Sequence, residues 1–433
     1  MNIENLHNKF LECKSIVDID SRTIRKGSMF FAIKGENFDG NNFAIEALKK
    51  GASTAVIDSK DKKFENIKNV IQVENSLEAL QKLANYHRNK TKSKIIALTG
   101  SNGKTTSKEL IHLVLKEKFN TISTLGNFNN HIGVPLSLLQ IKEDTEFSVI
   151  ELGANNFGEI DLLTKIVEPD YGYITNFGKA HLEGFKNLKG VIKAKTELYN
   201  WIIQNDKTLI INNDDLEQIK FNIYKNFSFG SKTKSNYNFE YIPEKKVMVK
   251  SSEIIYKSNI YGDYNFSNIC AAISIGLHFG VDSKKIQKSL LNYKLKNNRS
   301  QLIKLKSQEI ILDAYNANPT SMTHAIESFS KTKGSKAVIL GDMFELGNNA
   351  LDEHKKIVEI VKNNKIDKSY FIGIDFFNCH DNTESLFFYK TKENFYDDVN
   401  KINEKQILIK GSRAMKMEEI INKKLKWNIL LYP

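Results

Sequence analysis

The stretch Thr99-Gly-Ser-Asn-Gly-Lys-Thr-Thr106 follows the apolar run Ile95 to Leu98 and precedes a segment rich in apolar residues, 107–115. The spacing of those apolar residues suits a helix packed on a sheet, so the order predicts a strand, a glycine-rich turn and a helix. Such a turn points consecutive backbone N–H groups and a helix N-terminus at a phosphate. Lys104 can then reach the outer phosphate oxygens, and a hydroxyl of the turn can bind magnesium. The stretch therefore predicts a nucleotide phosphate site.

This pattern differs from the common phosphate loop, G-x-x-x-x-G-K-[ST], because Leu98 stands where the first glycine is expected. The shorter pattern, G-x-x-G-K-T, also fits a glycine-rich turn with a surface lysine. The flanking strand and helix favour the phosphate site over that alternative. The residues expected to surround the phosphates are Gly100, Ser101, Asn102, Gly103, Lys104, Thr105 and Thr106.

Length and composition indicate a globular protein of several domains. A chain of 433 residues suggests two to four domains, and 41% hydrophobic and 26% charged residues are ordinary values. There is no long apolar run, and the first residues lack the basic start and apolar middle of a signal peptide. We therefore expect a cytoplasmic protein that does not insert into a membrane. Its three cysteines are far apart, which indicates neither a disulfide framework nor a zinc site.

The formal net charge of +12 raises the question of a nucleic-acid partner. The lysines are scattered among asparagines and isoleucines, and no dense basic block is interleaved with aromatic residues. This distribution does not favour nucleic-acid binding, so we expect small-molecule partners instead. The excess of positive charge can still attract a polyanionic nucleotide.

Strand-like and helix-like segments alternate along the chain and predict three α/β units. Residues 1–88 indicate a small unit, and residues 89–296 the alternation typical of a doubly wound sheet. Within the second unit, residues 225–260 alternate polar and apolar and predict exposed antiparallel strands. Residues 297–433 contain four further strand-like runs, at 310–314, 337–341, 369–373 and 406–410.

Several polar residues follow strand-like runs, where open α/β sheets bind ligands. Glu151 ends the run 147–150, so its carboxylate either holds magnesium or faces solvent. His181 follows the run 171–174 and could join a metal shell, although a lone histidine is usually structural. In the last unit Asp313, Asp342 and Lys410 occupy such positions and are candidates for ligand binding.

Two further features have ordinary explanations when taken alone. Lys195 near the start of a predicted helix is by default a solvated residue. Asn265 and Asn268 precede or open an apolar helix, where asparagine commonly caps the N-terminus.

Taken together, these stretches resemble the Mur ligases, ATP-dependent amide-forming enzymes that build the peptidoglycan precursor. The resemblance covers nearly the whole chain, in the order and spacing of its pieces. These pieces are Asp20-Ser-Arg22, Phe31-Ala-Ile-Lys-Gly35, Thr99 to Thr106, Glu151-Leu-Gly-Ala154, Ala194-Lys195, Asn265 to Asn268, Arg299, Asp313 and Lys410-Gly-Ser-Arg413.

The resemblance implies an α/β protein of three domains. They are a small N-terminal uridine-binding domain (1–88), a central doubly wound ATPase-like domain with the phosphate loop (89–296), and a C-terminal Rossmann-like domain (297–433). Within the family, the stretches 312–322 and 340–347 resemble the members that add D-alanyl-D-alanine to UDP-N-acetylmuramoyl-tripeptide. Whether diaminopimelate or lysine is the third residue of that tripeptide stays open. A monomer is the default expectation.

The resemblance also implies a mechanism in which ATP phosphorylates the carboxylate of the tripeptide and the amine of the dipeptide attacks the acyl phosphate. Lys104 would contact the β and γ phosphates, Thr105 would bind Mg²⁺, and Glu151 and His181 would complete the metal shells. Lys195 matches a position that is often carbamylated, which would let it support a second Mg²⁺.

The other implied roles concern binding. Asn268 would contact adenine, and Arg299 and Asp313 would reach the nucleotide from the last domain, so the ATP site would be complete only after that domain closes. The residues implied in substrate binding are Ser21 and Arg22 for the uridine substrate, and Tyr315, Asn316, Asn318, Asp342 and Lys410 for the C-terminal part of the site.

Three alternatives remain at this point. The members that add the third residue typically carry a D-Y-A-H-T-P-like stretch in place of residues 313–318, and in the diaminopimelate form a D-N-P-R motif, whose nearest match is Asp381-Asn-Thr-Glu384. Folylpolyglutamate synthetases share the phosphate loop and the lysine but lack the domain with Asp20-Ser-Arg22. A phosphate-loop switch protein would not need Asp313 and Lys410 in a further domain.

Overall fold

The computed structural model describes residues 2–295, 298–305 and 307–424. Its N-terminal domain is a small α/β unit. The elements are α1 (Ile3–Glu12), β1 (Val17–Asp18), β2 (Met29–Phe31), β3 (Lys34–Gly35), β4 (Phe38–Asp39), α2 (Ala44–Lys49), β5 (Thr54–Ile57), β6 (Val70–Gln72) and α3 (Ser76–Lys90). A parallel sheet has the strand order β1-β2-β5-β6, and β3 and β4 form a separate hairpin.

The central domain is the largest of the three. Its first elements are β7 (Lys94–Thr99), α4 (Lys104–Lys116), β8 (Thr121–Ser123), α5 (Gly133–Leu138), β9 (Phe147–Glu151), α6 (Glu159–Val167), β10 (Tyr171–Ile174), α7 (Leu182–Phe185) and α8 (Leu188–Gln204). They are followed by β11 (Thr208–Asn212), β12 (Asn226–Gly230), β13 (Tyr237–Asn238), β14 (Glu240–Ile242), β15 (Lys246–Ser251), β16 (Ile254–Tyr261), α9 (Phe266–His278) and α10 (Ser283–Asn292).

Seven parallel strands form the central sheet, in the order β13-β12-β11-β10-β7-β9-β8. Strand β7 is apolar from Ile95 to Leu98 because successive side chains point to opposite faces and both faces are covered. Ile95 and Ala97 pack in the core shared with α5, α6 and α8, whereas Ile96 and Leu98 pack in the core shared with α4 and α9. The predicted doubly wound sheet is confirmed.

The prediction for residues 225–260 is only partly correct. β14, β15 and β16 do form an antiparallel sheet. β12 and β13, however, extend the central parallel sheet, with Leu209 of β11 opposite Asn226 of β12. Phe227 and Phe229 are buried, so the aromatic residues of this stretch belong to the core rather than to an exposed surface.

The C-terminal domain is built on a six-stranded sheet. Its elements are β17 (Gln301–Lys304), β18 (Glu309–Asp313), α11 (Pro319–Ser330), β19 (Lys336–Gly341), α12 (Ala350–Lys362), β20 (Lys368–Ile372), α13 (Ile374–Phe377), β21 (Leu386–Tyr389), α14 (Lys392–Tyr396), β22 (Gln406–Lys410) and α15 (Glu419–Lys424). The order is β17-β18-β22-β19-β20-β21, and only β17 is antiparallel to its neighbour. The four predicted strands are confirmed, and β17 and β21 are additional edge strands.

Among the helices of the described residues, none combines the length and the apolar character that a membrane span requires.

Helix α3 attaches the N-terminal domain to the central domain through its last turn. Arg88 Nε donates to the carbonyl oxygen of Val167 at 3.1 Å, and Arg88 Nη2 donates to Asp170 Oδ2 at 3.0 Å. The same Asp170 oxygen accepts the N–H of Ile95 at 2.9 Å, at the start of β7. The ion pair therefore connects α3 to the strand that carries the phosphate loop.

Replacing Arg88 by alanine is expected to lower the free energy of unfolding by roughly 2 kcal/mol. It removes one charged partner from the partly buried carboxylate of Asp170, which keeps Ile95 N–H and Lys207, and it removes the donor to the carbonyl oxygens of Val167 and Glu168. Urea denaturation, monitored by circular dichroism, measures the change in the free energy of unfolding. Lys82→Ala on the same helix is the control, since its pair with Glu78 is exposed (71% and 60%) and contributes less than about 1 kcal/mol. Equal losses in the two variants would contradict the role of Arg88.

Two buried histidines lie beside this connection. His87 Nε2 lies 2.8 Å from the carbonyl oxygen of Ile141 and must donate to it, so His87 Nδ1 accepts the proton of His7 Nε2 at 3.0 Å. Both rings are thus neutral in the folded protein. Burial lowers the pKa of His87 and of His7. The pKa of His7 is lowered further by repulsion from a protonated His87 and from the charge of Lys90.

Stability is therefore expected to fall as the pH drops below the ordinary histidine value of 6.5, because the unfolded chain binds protons there that the folded chain does not. Between about pH 7 and about pH 5, the free energy of unfolding of the unmodified protein should decrease more than that of the double variant His7→Phe/His87→Gln. Equal decreases in the two proteins would show that this pair does not titrate as the structure indicates.

Candidate active site

A cleft of about 400 Å³ lies between the central and C-terminal domains. The phosphate loop and the segments after β8, β9 and β10 line one side of it. Residues between Arg299 and His324, together with Lys410, line the other side. The carboxyl ends of the parallel strands of both sheets thus face one space, where open α/β sheets bind their ligands.

Two glycines allow the phosphate loop to take its shape. Gly100 and Gly103 have φ values of 145° and 78°, which favour glycine. A Cβ atom at Gly100 would lie 2.0 Å from Thr175 Oγ1, and one at Gly103 would lie 2.5 Å from Asn268 Oδ1. Helix α4 begins at Lys104 without a side-chain cap, so its first N–H groups are left for an anion.

Lys104 folds back over this loop. Its Nζ donates to the carbonyl oxygen of Gly100 at 2.7 Å. Burial lowers the pKa of Lys104 below its usual value, and the carboxylates of Glu151 and Glu345 oppose that lowering. The ammonium group therefore lies close to carboxylates of both domains.

Glu151 is buried at the end of β9, with 1% of its surface exposed. Its Oε1 accepts from Asn129 Nδ2 at 2.9 Å and from Thr105 Oγ1 at 3.3 Å, while Oε2 has no hydrogen-bond partner among the described residues. The alternative of a solvent-facing glutamate is therefore wrong. A buried carboxylate oxygen without a partner is unfavourable unless a cation or water binds it, and it fits a hard cation with oxygen ligands.

Lys195 is fully buried on α8, so the expectation of a solvated residue is wrong as well. Its Nζ lies 3.5 Å from the carbonyl oxygen of Ala154 and 5.2 Å from the centre of the Phe185 ring. Burial, and next the charge of Lys104, lower the pKa of Lys195 well below its usual value. These surroundings favour a neutral amine.

His181 lines the cleft just beyond β10. Its Nδ1 lies 2.5 Å from Oε2 of Glu345, which belongs to the C-terminal domain. The backbone of His181 is left-handed, with φ 51°.

Several C-terminal residues reach the same cleft. Lys410 Nζ donates to Asp313 Oδ2 at 2.5 Å, because β18 and β22 are neighbours and place Asp313 opposite Lys410. The Arg299 guanidinium lies 3.6 Å from the centre of the Tyr315 ring. Asn318 Nδ2 donates to Asn102 Oδ1 at 2.7 Å, which is a direct contact between the C-terminal domain and the phosphate loop.

Asn265 directly precedes α9 and Asn268 lies in its first turn, and neither side chain caps the helix. Asn265 makes no side-chain capping bond. Instead its Oδ1 accepts from Asn268 Nδ2 at 3.0 Å, and Asn268 Oδ1 accepts from Ser107 Oγ at 3.0 Å. The capping interpretation is therefore wrong, and the pair connects α9 to α4 beside the phosphate loop.

Five predicted residues are not among those that line the cleft: Gly100, Lys195, Ser21, Arg22 and Asp342. Ser21 and Arg22 lie in the N-terminal domain, where Arg22 Nη2 pairs with Asp20 Oδ2 at 2.7 Å. Asp342 is buried, and its carboxylate oxygens accept the N–H groups of Asp375 and Phe376 at 3.1 and 3.0 Å. The structure thus corrects the expectation for Asp342, since its carboxylate holds the start of α13 instead of facing the cleft.

Asp342, Asp375 and His354 form a cluster of potential metal ligands within the C-terminal domain. His354 Nε2 accepts the N–H of Met343 at 2.9 Å, and its Nδ1 lies 2.7 Å from the carbonyl oxygen of Ala350. Both ring nitrogens are thus engaged, and the cluster serves the fold.

Some residues of the cleft had no signal in the sequence that singled them out. They include Asn127, Asn129, Asn130, Asn155, Glu159, Asn176, Ser300, Ser321 and His324. The asparagine-rich run 127–130 was visible, but such a run is also typical of an ordinary loop.

Comparison with known proteins places these features in a family. The chain matches the models of the Mur ligase family catalytic domain over residues 15–88, the Mur ligase middle domain over 98–276, and the Mur ligase glutamate ligase domain over 298–419.

Curated relatives named UDP-N-acetylmuramoyl-tripeptide–D-alanyl-D-alanine ligase match most of the chain. The Bacillus subtilis protein is 34% identical over 94% of this chain and 92% of its own length. Those of Buchnera aphidicola subsp. Acyrthosiphon pisum and Escherichia coli are 36% and 32% identical, each over 94% of this chain and 92% of their own length.

Solved structures of the same kind of ligase also match most of the chain. MurF from Acinetobacter baumannii has a TM-score of 0.86 and 29% identity, and covers 95% of this chain and 93% of its own. MurF ligase from Thermotoga maritima in complex with ADP has a TM-score of 0.83 and 27% identity, and covers 94% and 96%. The three-domain α/β fold is confirmed, and the chain belongs to the Mur ligase family.

Proposed function

We propose that this chain is the ATP-dependent ligase that joins D-alanyl-D-alanine to UDP-N-acetylmuramoyl-tripeptide. The observation that carries the proposal is the shared cleft, in which the phosphate loop faces Arg299, Asp313 and Lys410 of the C-terminal domain. A nucleotide on the loop and an acceptor held by the C-terminal domain would meet there. Relatives at 32–36% identity bear the name of this ligase.

The earlier ligase of the pathway, which adds the third residue, is the main competitor. A structure titled as the UDP-N-acetylmuramoyl-L-alanyl-D-glutamate–2,6-diaminopimelate ligase shares the fold, with a TM-score of 0.53 but only 15% identity. MurF structures reach TM-scores of 0.80 to 0.86 at 27–29% identity. This difference favours the enzyme that adds the dipeptide.

The reaction consists of two successive substitutions, the first at the γ-phosphorus of ATP and the second at the carboxyl carbon of the tripeptide. A carboxylate oxygen of the tripeptide attacks the γ-phosphorus of ATP and ADP leaves, which gives an acyl phosphate. The amine of the dipeptide then attacks the carbonyl carbon, the C–O bond to phosphate breaks, and the nitrogen loses a proton. Such steps depend on positioning and on neutralisation of negative charge, which Lys104 and the N-terminus of α4 would supply.

Two Mg²⁺ ions would fit the donor groups of the cleft. Thr105 and Glu151 would hold one, since the unpartnered Oε2 of Glu151 calls for a cation. His181 and a carbamylated Lys195 would hold the other. When bound, the ions would neutralise charge on the phosphates.

Lys195 is well placed for carbamylation because its amine is buried and its pKa is lowered. The neutral nitrogen would attack carbon dioxide, form an N–C bond and release a proton, which turns a cation into a carboxylate-like anion. An unmodified, charged lysine would repel Lys104 and any metal ion nearby.

We assign the remaining candidates to binding. Asn268 would contact adenine, Arg299 and Asp313 the nucleotide, and Tyr315, Asn316, Asn318 and Lys410 the acceptor side of the cleft. Ser21 and Arg22 would bind the uridine substrate on the N-terminal domain. The proposal includes a monomer in the cytoplasm, which light scattering and cell fractionation would test.

Replacing Lys195 by alanine is expected to lower kcat by roughly 100-fold, because the second metal ion would lose a ligand. A short carboxylic acid such as propionate should restore part of the activity by occupying the space of the carbamate. Lys193→Ala is the matched control, since Lys193 is exposed on the same helix. An active Lys195→Ala variant that does not respond to the acid would contradict the carbamate.

Phosphate release from ATP and Mg²⁺ is expected to require both UDP-N-acetylmuramoyl-tripeptide and D-alanyl-D-alanine. The product should be heavier than the tripeptide substrate by one dipeptide unit, as mass spectrometry would show. Lys104→Ala should reduce the release to background. If release instead followed diaminopimelate or lysine with the shorter UDP-linked dipeptide, the chain would belong one step earlier in the pathway.

A further inference from the structure

Glu345 is the residue of the C-terminal domain that contacts His181 of the central domain. Its Oε2 lies 2.5 Å from His181 Nδ1. Its own carbonyl oxygen accepts the N–H of Glu183 at 3.0 Å, so backbone and side chain both meet the same segment of the central domain. Glu345 therefore contacts the central domain at two places, His181 and Glu183.

The turn that carries Glu345 is held firmly. Met343 and Leu346 on either side are buried, and the N–H of Phe344 donates to Ser412 Oγ at 2.9 Å. Glu345 itself has a left-handed backbone, with φ 62°, opposite His181 with φ 51°. Left-handed conformations are unfavourable for residues other than glycine, and they persist where surrounding contacts enforce them, often at functional sites.

A carboxylate next to one imidazole nitrogen determines what the other nitrogen can do. A nearby carboxylate favours the tautomer with its proton on the nearer nitrogen, Nδ1, which leaves the lone pair on Nε2. Here the two groups lie at ion-pair distance, without the linear geometry of a hydrogen bond. Metal-binding histidines commonly use this arrangement, which also fixes the orientation of the ring. In this protein the carboxylate comes from a different domain than the histidine.

We propose that Glu345 is a positioning residue, which the C-terminal domain supplies to hold His181 as an Nε2 donor for the metal site. The metal shell is then fully oriented only while the C-terminal domain is docked. This inference rests on the proposed function, because it assigns His181 to the metal shell.

The same interface offers a matched comparison. Glu353 of α12 also reaches across it, where Lys179 Nζ donates to Glu353 Oε1 at 2.8 Å. Lys179 stands two residues before His181, and its own N–H donates to Thr320 Oγ1 at 2.8 Å. Glu353→Ala thus removes a carboxylate that connects the two domains, but it leaves Glu345, the partner of His181, in place.

The test measures the binding of Mn²⁺ in the presence of ADP by electron paramagnetic resonance, on full-length proteins. Glu345→Ala should weaken Mn²⁺ binding about 10-fold or more, and Glu345→Gln should retain most of the affinity because its amide oxygen still accepts the Nδ1 proton. In turnover, Glu345→Ala should lower kcat while the KM for the UDP substrate stays the same.

A double-mutant cycle that combines Glu345→Ala with His181→Ala decides whether Glu345 positions His181 or has another role. If Glu345 acts through His181, Glu345→Ala should change Mn²⁺ affinity by less than about twofold once His181 is absent, whereas Glu353→Ala should have the same effect in both backgrounds. Independent effects of the Glu345 and His181 substitutions, as expected for a direct ligand, would overturn the inference.

An unchanged Mn²⁺ affinity in Glu345→Ala would overturn it as well. Failure of the proposed function would look different, because the unmodified protein would then show no release of phosphate that depends on the dipeptide.

Discussion

The parallel pairing of β7 with β9 and β10 is the constraint on which the site depends. It places Leu98 opposite Glu151 and Thr99 opposite Ile174. The carboxyl ends of these three strands therefore lie side by side. The phosphate loop follows β7, the buried carboxylate of Glu151 ends β9, and the loop that carries His181 follows β10. A shift of one residue in the pairing of β7 with β9 would turn Glu151 to the other face and separate it from Thr105.

The C-terminal domain adds groups that the central sheet cannot supply. The bond between Asn318 and Asn102 joins it to the phosphate loop, and Glu345 joins it to His181. These contacts involve residues that line the cleft, so they join the two domains at the site itself. Lys104 is half-buried at the cleft and Lys195 is fully buried among residues of the central domain, and burial lowers the pKa of both.

Local pattern was enough to predict the phosphate loop, the doubly wound sheet and four strands of the C-terminal domain. Each of these depends on an apolar run or a glycine turn that is visible within about ten residues. The burial of Lys195, the link between Asn268 and Ser107, and the position of Asp342 could not be read in this way. They depend on contacts between segments far apart in the chain, as does the place of β12 in the parallel sheet.

Strand β22 is the last strand of the described residues, yet it lies at the centre of the C-terminal sheet, between β18 and β19. During synthesis, β18 emerges about 97 residues, and β19 about 70 residues, before the strand that must separate them. The sheet cannot close, and Asp313 cannot meet Lys410, until residues 406–410 have left the ribosome. Of the described strands, β22 is thus the last to be synthesised, and the ion pair of Asp313 with Lys410 at the cleft waits for it.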